Sequence, residues 1–256
     1  MQRRDYPQRP EQVYLFGTCL IDLFVPEAGL DAVRLLEREG LKVRFPQAQS
    51  CCGQPAYTSG NPESARAVAQ AQLDLFDEPW PVVIPSGSCA GMIRHHWPKL
   101  FAEDPVSGPK ARALAQRVFE LAEFLVEVLD VRFPELAARP EQVALHTSCS
   151  ARREMGTREH GLSLLARLPG VEVLEHERES ECCGFGGTFS LKHPDISGAM
   201  VTDKTARIAA TGCTRFVTAD CGCMLNIGSA AAHQGRALSG QHLASFVWDR
   251  VKDSES

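Results

Sequence analysis

The 256-residue sequence contains no stretch of about 18 uncharged apolar residues, the length that crosses a membrane. Its best candidate, Ala111–Leu129, is interrupted by Arg112, Arg117, Glu120, Glu123 and Glu127. The apolar residues there (Leu114, Val118, Leu121, Leu125 and Val128) recur at helical spacing, which predicts a core-facing helix. An apolar leader is missing too. Residues 1–12 are polar, so the chain is expected to be unsecreted and cytoplasmic. A basic stripe is also absent. With 27 Lys and Arg against 32 Asp and Glu, the net charge is −5, and nucleic acid is not an expected partner. No Walker motif, serine-hydrolase elbow or H-E-x-x-H occurs. The run Gly184-Phe185-Gly186-Gly187 lacks the full pattern and strand-to-helix context of a dinucleotide site. Nothing in the sequence points to an organic cofactor or to hydride transfer.

What the sequence has in excess is cysteine. Apolar residues at 44% suffice for an ordinary packed core, so ten cysteines are not needed as staples. Disulfide scaffolds are short, secreted and loop-rich, and the cytosol keeps thiols reduced. Metal ligation or thiol chemistry is the better expectation.

The cysteines are written twice. VYLFGTC (13–19), SCCGQP (50–55) and VVIPSGSC (82–89) recur as VALHTSC (143–149), ECCGFG (181–186) and FVTADCGC (216–223). Cys19 matches Cys149 at an offset of 130, Cys51 and Cys52 match Cys182 and Cys183 at 131, and Cys89 matches Cys223 at 134. A drift this small is what loop insertions produce. Two tandem homologous domains are expected, 1–138 and 139–256, joined near the polar segment Arg132–Glu141.

Within each half, apolar runs alternate with helix-like segments. Strands are expected at 41–45, 82–85, 171–174 and 216–219, besides the runs that end at Cys19 and Cys149. Helices are expected over 26–39 and 157–168, and others open at Asn61-Pro62 and His193-Pro194, where proline suits the first helical position. Such alternation predicts an α/β fold, each domain a mostly parallel open sheet flanked by helices. Every cysteine of the repeat then follows the C-terminal end of a strand, the edge where such sheets bind ligands. Cys19, Cys51, Cys52 and Cys89 should converge, and so should Cys149, Cys182, Cys183 and Cys223.

Four soft thiolates suit an iron–sulfur cluster or a closed zinc site. Adjacent cysteines serve one site only where the chain turns, and Gly53 and Gly184 permit that turn. Gly184, Gly186 and Gly187 would let backbone N–H groups approach inorganic sulfur. A larger object with several metal atoms suits CysCys better than a single zinc ion does, so iron–sulfur is favoured, more firmly in the first half. A thiol–disulfide enzyme is a weaker alternative, since bridged Cα atoms lie ~4.4–6.8 Å apart and neighbouring ones only ~3.8 Å. Cys213 reads as a small buried hydrophobe. Cys221 has no counterpart in the first half and is either a further ligand or a spare thiol. His146 either tunes or ligates the second centre, or is a satisfied structural histidine. His95 and His96 read as surface or structural, because successive helix positions do not face one site.

The motifs FPQAQSCCGQPAYTSG (45–60), PSGSCAGMIRHHWP (85–98), ECCGFGGTFSLKHPDISGAM (181–200) and TADCGCMLNIG (218–228) carry a family resemblance over nearly the whole chain. The duplicated module resembles the cysteine-rich CCG domain found in heterodisulfide reductase and in the glycolate oxidase iron–sulfur subunit. The lactate-utilization protein A family is the most similar. The resemblance implies a flavin-free iron–sulfur subunit that acts with other subunits, one also carrying iron–sulfur clusters, to oxidise L-lactate to pyruvate or another 2-hydroxy acid such as glycolate. The heterodisulfide reductase module carries a fifth cysteine per domain, where this chain has Ser86 and Asp220. Four-thiolate 4Fe–4S clusters, one per domain, therefore fit better than a five-thiolate cluster, and zinc is the alternative in the second domain. Thr147 replaces the Asp that commonly follows the family's histidine.

Overall fold

The computed structural model describes residues 4–134 and 136–252. Eight short strands form two four-stranded, wholly parallel sheets. The first is built from β1 (Gln12–Leu15), β2 (Lys42–Arg44), β3 (Val82–Ile84) and β4 (Val118–Glu120), in the order β2-β1-β3-β4. The second uses β5 (Glu141–Leu145), β6 (Val171–Leu174), β7 (Arg215–Thr218) and β8 (Ser239–His242), in the matching order β6-β5-β7-β8. Parallel pairing needs crossover helices, and the chain supplies them. In the first half these are α1 (Cys19–Phe24), α2 (Pro26–Arg38), α3 (Gln54–Thr58), α4 (Pro62–Leu73), α5 (Gly87–Gly91), α6 (Trp97–Leu100), α7 (Ser107–Gln116) and α8 (Leu121–Glu123). The second half has α9 (Cys149–Met155), α10 (Thr157–Ala166), α11 (Phe189–Lys192), α12 (Pro194–Ala209), α13 (Cys221–His233) and α14 (Leu243–Val251). Pro62 and Pro194 open α4 and α12 as expected, and the Asn61 side chain caps α4 by accepting from the Ser64 N–H at 3.1 Å.

Alternation along the strands divides the core. Val13 and Leu15 of β1, Val83 of β3, Val143 and Leu145 of β5 and Val217 of β7 enter one hydrophobic cluster shared by both halves. Their neighbours Tyr14, Val82 and Ile84 enter a cluster that belongs to the first half apart from Met155, and Ala144 and Phe216 one private to the second. Successive side chains point to opposite faces. Each sheet therefore has one face of its own and one face turned to the other half.

The contacts between halves are reciprocal. Helix α14 packs on α2, and α8 with the π-helical turn Phe124–Val128 after it packs on α10, the counterpart of α2. Likewise α5 meets α9, and α13 meets α1. Equivalent elements exchange partners, so the two halves are related by an approximate two-fold axis.

The helix expected over Ala111–Leu129 does not form in one piece. Helix α7 ends at Gln116, and Val118–Glu120 is a strand paired with β3. Sheet pairing prevails over helical spacing here because the strand interrupts that spacing for only three residues and keeps Val118 and Leu121 buried. The fourth strand of each half, β4 and β8, was not expected from sequence. Among the described residues no helix is long and apolar enough to cross a membrane.

Candidate metal centres

Cys19 opens α1 directly after β1, and Cys89 lies in α5 directly after β3, either side of the point where the strand order reverses. The Cys51-Cys52 pair approaches from the loop after β2. Gly53, at φ 85°, turns the chain there, and its N–H donates to Cys51 Sγ at 3.4 Å. Cys19 Sγ lies 3.6 Å from Cys51 Sγ, and Cys52 hydrogen-bonds with both Cys51 and Cys89. The second quartet repeats the arrangement. Cys149 opens α9, Gly184 turns at φ 88°, and its N–H donates to Cys182 Sγ at 3.3 Å. Cys183 Sγ lies 3.2 Å from Cys223 Sγ, and Cys182 hydrogen-bonds with both Cys149 and Cys183. Both quartets thus converge as their spacing predicts, and all ten cysteines are free thiols.

Two side chains that pattern reading did not single out fix these loops. Trp97 Nε1 donates to the Cys52 carbonyl at 2.9 Å, and Asn226 Nδ2 donates to the Cys183 carbonyl at 3.0 Å. Both lie a few residues beyond the last cysteine of their half, inside the motifs quoted above, where the residue type alone does not announce a bond to the loop backbone. The second loop is the tighter. A Cβ on Gly184 would sit 2.7 Å from the Ser197 carbonyl, and one on Gly53 3.1 Å from that of Ala65. Gly186 and Gly187 also have positive φ, 52° and 60°.

The thiols do not share protons evenly. Hydrogen bonds from Cys19 and Cys52, with help from the Gly53 N–H, depress the Cys51 thiol far below its ordinary value, while Cys19 and Cys52 rise. Cys182 is depressed in the same way by Cys149, Cys183 and the Gly184 N–H. In each quartet the first cysteine of the pair is thus the one biased towards thiolate, the form that binds metal. Burial, with Asp220 adding to it, pushes the Cys221 thiol up to about 12.

Both quartets open into one cavity of about 410 Å³ between the halves, which Cys221 also lines. The two CysCysGly loops meet across it. The Ser59 and Thr188 hydroxyls are hydrogen-bonded, and Gly187 faces Pro55. Also in the cavity lining, Ser86 and Asp220, which stand where the resembled reductase module has a fifth cysteine, bind each other. Asp220 Oδ1 accepts from Ser86 Oγ at 2.9 Å, from Ser88 Oγ at 2.6 Å and from the Ser88 N–H at 3.1 Å. Its Oδ2 accepts from Ser148 Oγ at 2.7 Å. The carboxylate, 5% exposed, is saturated and ties three segments together.

Cys221 packs against Ile21 and Met224, while Cys213 belongs to the private core of the second half, away from the cavity. His146 is 1% exposed, and neither ring nitrogen has a hydrogen-bond partner. Burial, then the nearby Lys204 charge, lowers its pKa to about 3, so the ring is neutral. It is thus not a satisfied structural histidine. His95 and His96 are structural and bridge the halves, but these successive positions do face one residue. A π-helical turn, Met92–His96, lets both reach Glu154: His95 Nε2 its carbonyl at 3.0 Å and His96 Nε2 its carboxylate at 2.9 Å.

Residues 13–94 and 143–228 each match the model of the cysteine-rich domain family, CCG. Lactate utilization protein A of Shouchella clausii is 42% identical over 235 residues, covering 92% of this chain and 98% of that protein. The protein of the same name from Bacillus subtilis is 40% identical over 239 residues, covering 93% and 100%. That from Geobacillus kaustophilus is 43% identical over 236 residues, covering 92% and 98%. Among solved structures, a hypothetical protein from Helicobacter pylori superimposes with a TM-score of 0.63 at 10% identity. The match covers the whole chain but about half of that protein (53%), and it supports the fold alone. With both halves matched by the domain model and near-full-length relatives at about 40% identity, the chain belongs to the cysteine-rich CCG domain family, within the lactate utilization protein A group.

Proposed function

We propose that this chain is the iron–sulfur electron-transfer subunit of a system that oxidises a 2-hydroxy acid, with L-lactate the substrate and pyruvate the product. One observation carries the reading: two quartets of free thiols face a single cavity between the halves. Cys19, Cys51, Cys52 and Cys89 would hold one centre, and Cys149, Cys182, Cys183 and Cys223 the other, one for each of the domains 1–138 and 139–256. The donor set fits. Thiolates are the usual complement of a 4Fe–4S cluster, and the depressed Cys51 and Cys182 are the members of each site most readily ionised. Iron–sulfur clusters, when bound, supply one-electron redox chemistry. The protein's own part is to hold them. Gly53 and Gly184 aim N–H groups at sulfur, Trp97 and Asn226 fix the loops, and the cavity wall around them is largely apolar. The lactate assignment rests on relatives named for lactate utilization that match almost end to end. Oxidation of the acid itself falls to partner subunits in the cytoplasm, one of them also an iron–sulfur protein.

Anaerobic purification followed by iron, sulfide and zinc assay, visible absorbance and EPR tests the proposal. Two iron–sulfur clusters per chain, reversibly reducible, are expected. A colourless protein that takes up no iron on anaerobic reconstitution would falsify it. Zinc in the second half is the competing reading, favoured by one feature: donor atoms of His146, Cys183 and Cys223 all lie within 4.8 Å of one another. A redox-silent second half carrying one zinc ion would establish it.

A further inference from the structure

The two halves share their cysteines but not what stands behind them. Phe16 and His146 occupy equivalent places, one residue beyond β1 and β5, with N–H groups donating to equivalent carbonyls, Val83 at 3.0 Å and Val217 at 2.9 Å. Phe16 fills core. His146 is as deeply buried, yet neither of its nitrogens is partnered. An unpaired buried polar group costs about 1–3 kcal/mol, and native proteins seldom leave one so.

No neighbour hydrogen-bonds to the His146 ring. His176, stacked at 6.4 Å, places Nδ1 on the Glu177 carbonyl at 3.0 Å and leaves its own Nε2 unpartnered. Lys204 Nζ donates to the Arg178 carbonyl at 2.7 Å, and both Asp220 oxygens are taken by serines. Two environments remain. A ring nitrogen lies within 4.8 Å of Cys183 Sγ and Cys223 Sγ. The ring also borders a small cavity of about 10 Å³, the room one water molecule takes. Glu120, Thr147 and Thr157 line that cavity with it, each offering an unpartnered oxygen. A metal-ligating histidine has this surrounding: one nitrogen on the metal and the other fixed through carboxylate, carbonyl or water.

We infer that the second centre is a mixed sulfur–nitrogen site in which His146 coordinates metal beside Cys183 and Cys223, whereas the first centre is bound by thiolates alone. The inference rests on the reading that the quartets hold metal, but not on which metal. His146 serves an iron–sulfur cluster and a zinc ion alike.

The test uses the full chain, reconstituted anaerobically with iron and sulfide, or with zinc. Metal content is measured first. A chain that takes up none overturns the electron-transfer proposal and this inference with it. Metal-loaded protein is then examined by X-ray absorption, which is expected to show a nitrogen shell at ~2.0–2.1 Å beside the sulfur shell. For an iron-loaded second centre, pulsed EPR on protein with ¹⁵N-labelled histidine should show a strongly coupled nitrogen. In His146→Ala that shell and coupling disappear, while the first centre's signal persists and reports that the fold is intact. Should His146→Ala fail to fold, the wild-type spectra decide alone. Metal-loaded wild type with sulfur ligands only, or a nitrogen signal that survives His146→Ala, overturns the inference and leaves the electron-transfer proposal standing.

Discussion

Gly184 and Gly212 have nearly the same backbone, φ 88° and 84°, and quite different surroundings. A Cβ at 212 meets nothing within 4 Å, while one at 184 meets the Ser197 carbonyl at 2.7 Å. Gly212→Ala should therefore cost only the left-handed penalty, about 1 kcal/mol in urea unfolding. Gly184→Ala should cost about 3 kcal/mol, since a carbonyl and the loop must move as well. Glu120 makes a second prediction. Burial, then the nearby Glu123 charge, raises its pKa to about 8, against 4.5 in the unfolded chain. Between these values the native carboxyl keeps a proton that the unfolded chain has released. The stability this group lends is complete below about 4.5 and is lost as pH rises towards 8, by up to about 1.4 kcal/mol per unit. Glu120→Gln should flatten urea-derived stability across that window, and an unchanged slope would refute the assignment. The cysteines were legible at this scale because a thiol quartet leaves a spacing behind. The unpartnered nitrogens of His146 were not, because satisfaction is a property of neighbours.

The starts of three helices meet at the Asp220 carboxylate. Ser86 caps α5, Ser148 caps α9, and Asp220 itself precedes α13. Asp220→Ala leaves these buried hydroxyls without their acceptor and should cost about 3 kcal/mol of unfolding free energy, while Ser86→Ala, which removes one donor of several, should cost about 1. Comparable losses in the two would show that the network does not centre on the carboxylate. Long elements were readable from sequence: α2 and β6 fall within a residue of their expected bounds, and α4 and α12 open at the prolines expected to start them. The short edge strands were not. β8 is Ser-Gly-Gln-His, with no apolar alternation, and β4 is hidden inside a helical spacing; both exist because a neighbouring strand offers a ladder. The π-helical turn at Met92–His96 has no sequence signature either, and it alone lets adjacent histidines reach Glu154.

At the level of the whole molecule, duplication was plain in the repeat, but nothing in a repeat says how its copies face each other. Because one hydrophobic cluster runs through both halves, the chain should unfold in a single calorimetric transition whose van't Hoff and calorimetric enthalpies agree. Two separated transitions would mean that the halves are autonomous. The halves also differ in charge. Lys204, 2% exposed and close enough to Cys183 to interact with it, stands ten residues after Pro194, where the first half has Gln72 ten after Pro62. Positive charge favours the reduced, more negative state of a centre, so an EPR-monitored redox titration should show two steps with the second centre at the higher potential. Lys204→Gln should draw the steps together.

The Ser86–Asp220 contact has a consequence for how such a protein can be encoded. In a homodimer of two identical half-chains, whatever residue one copy placed at the axis the other would place there too. Two aspartates would set like charges against each other in a dry interface, and two serines would leave no anion to gather the neighbouring hydroxyls. A chain that carries both copies escapes that symmetry, and one carboxylate can then be held by its neutral counterpart.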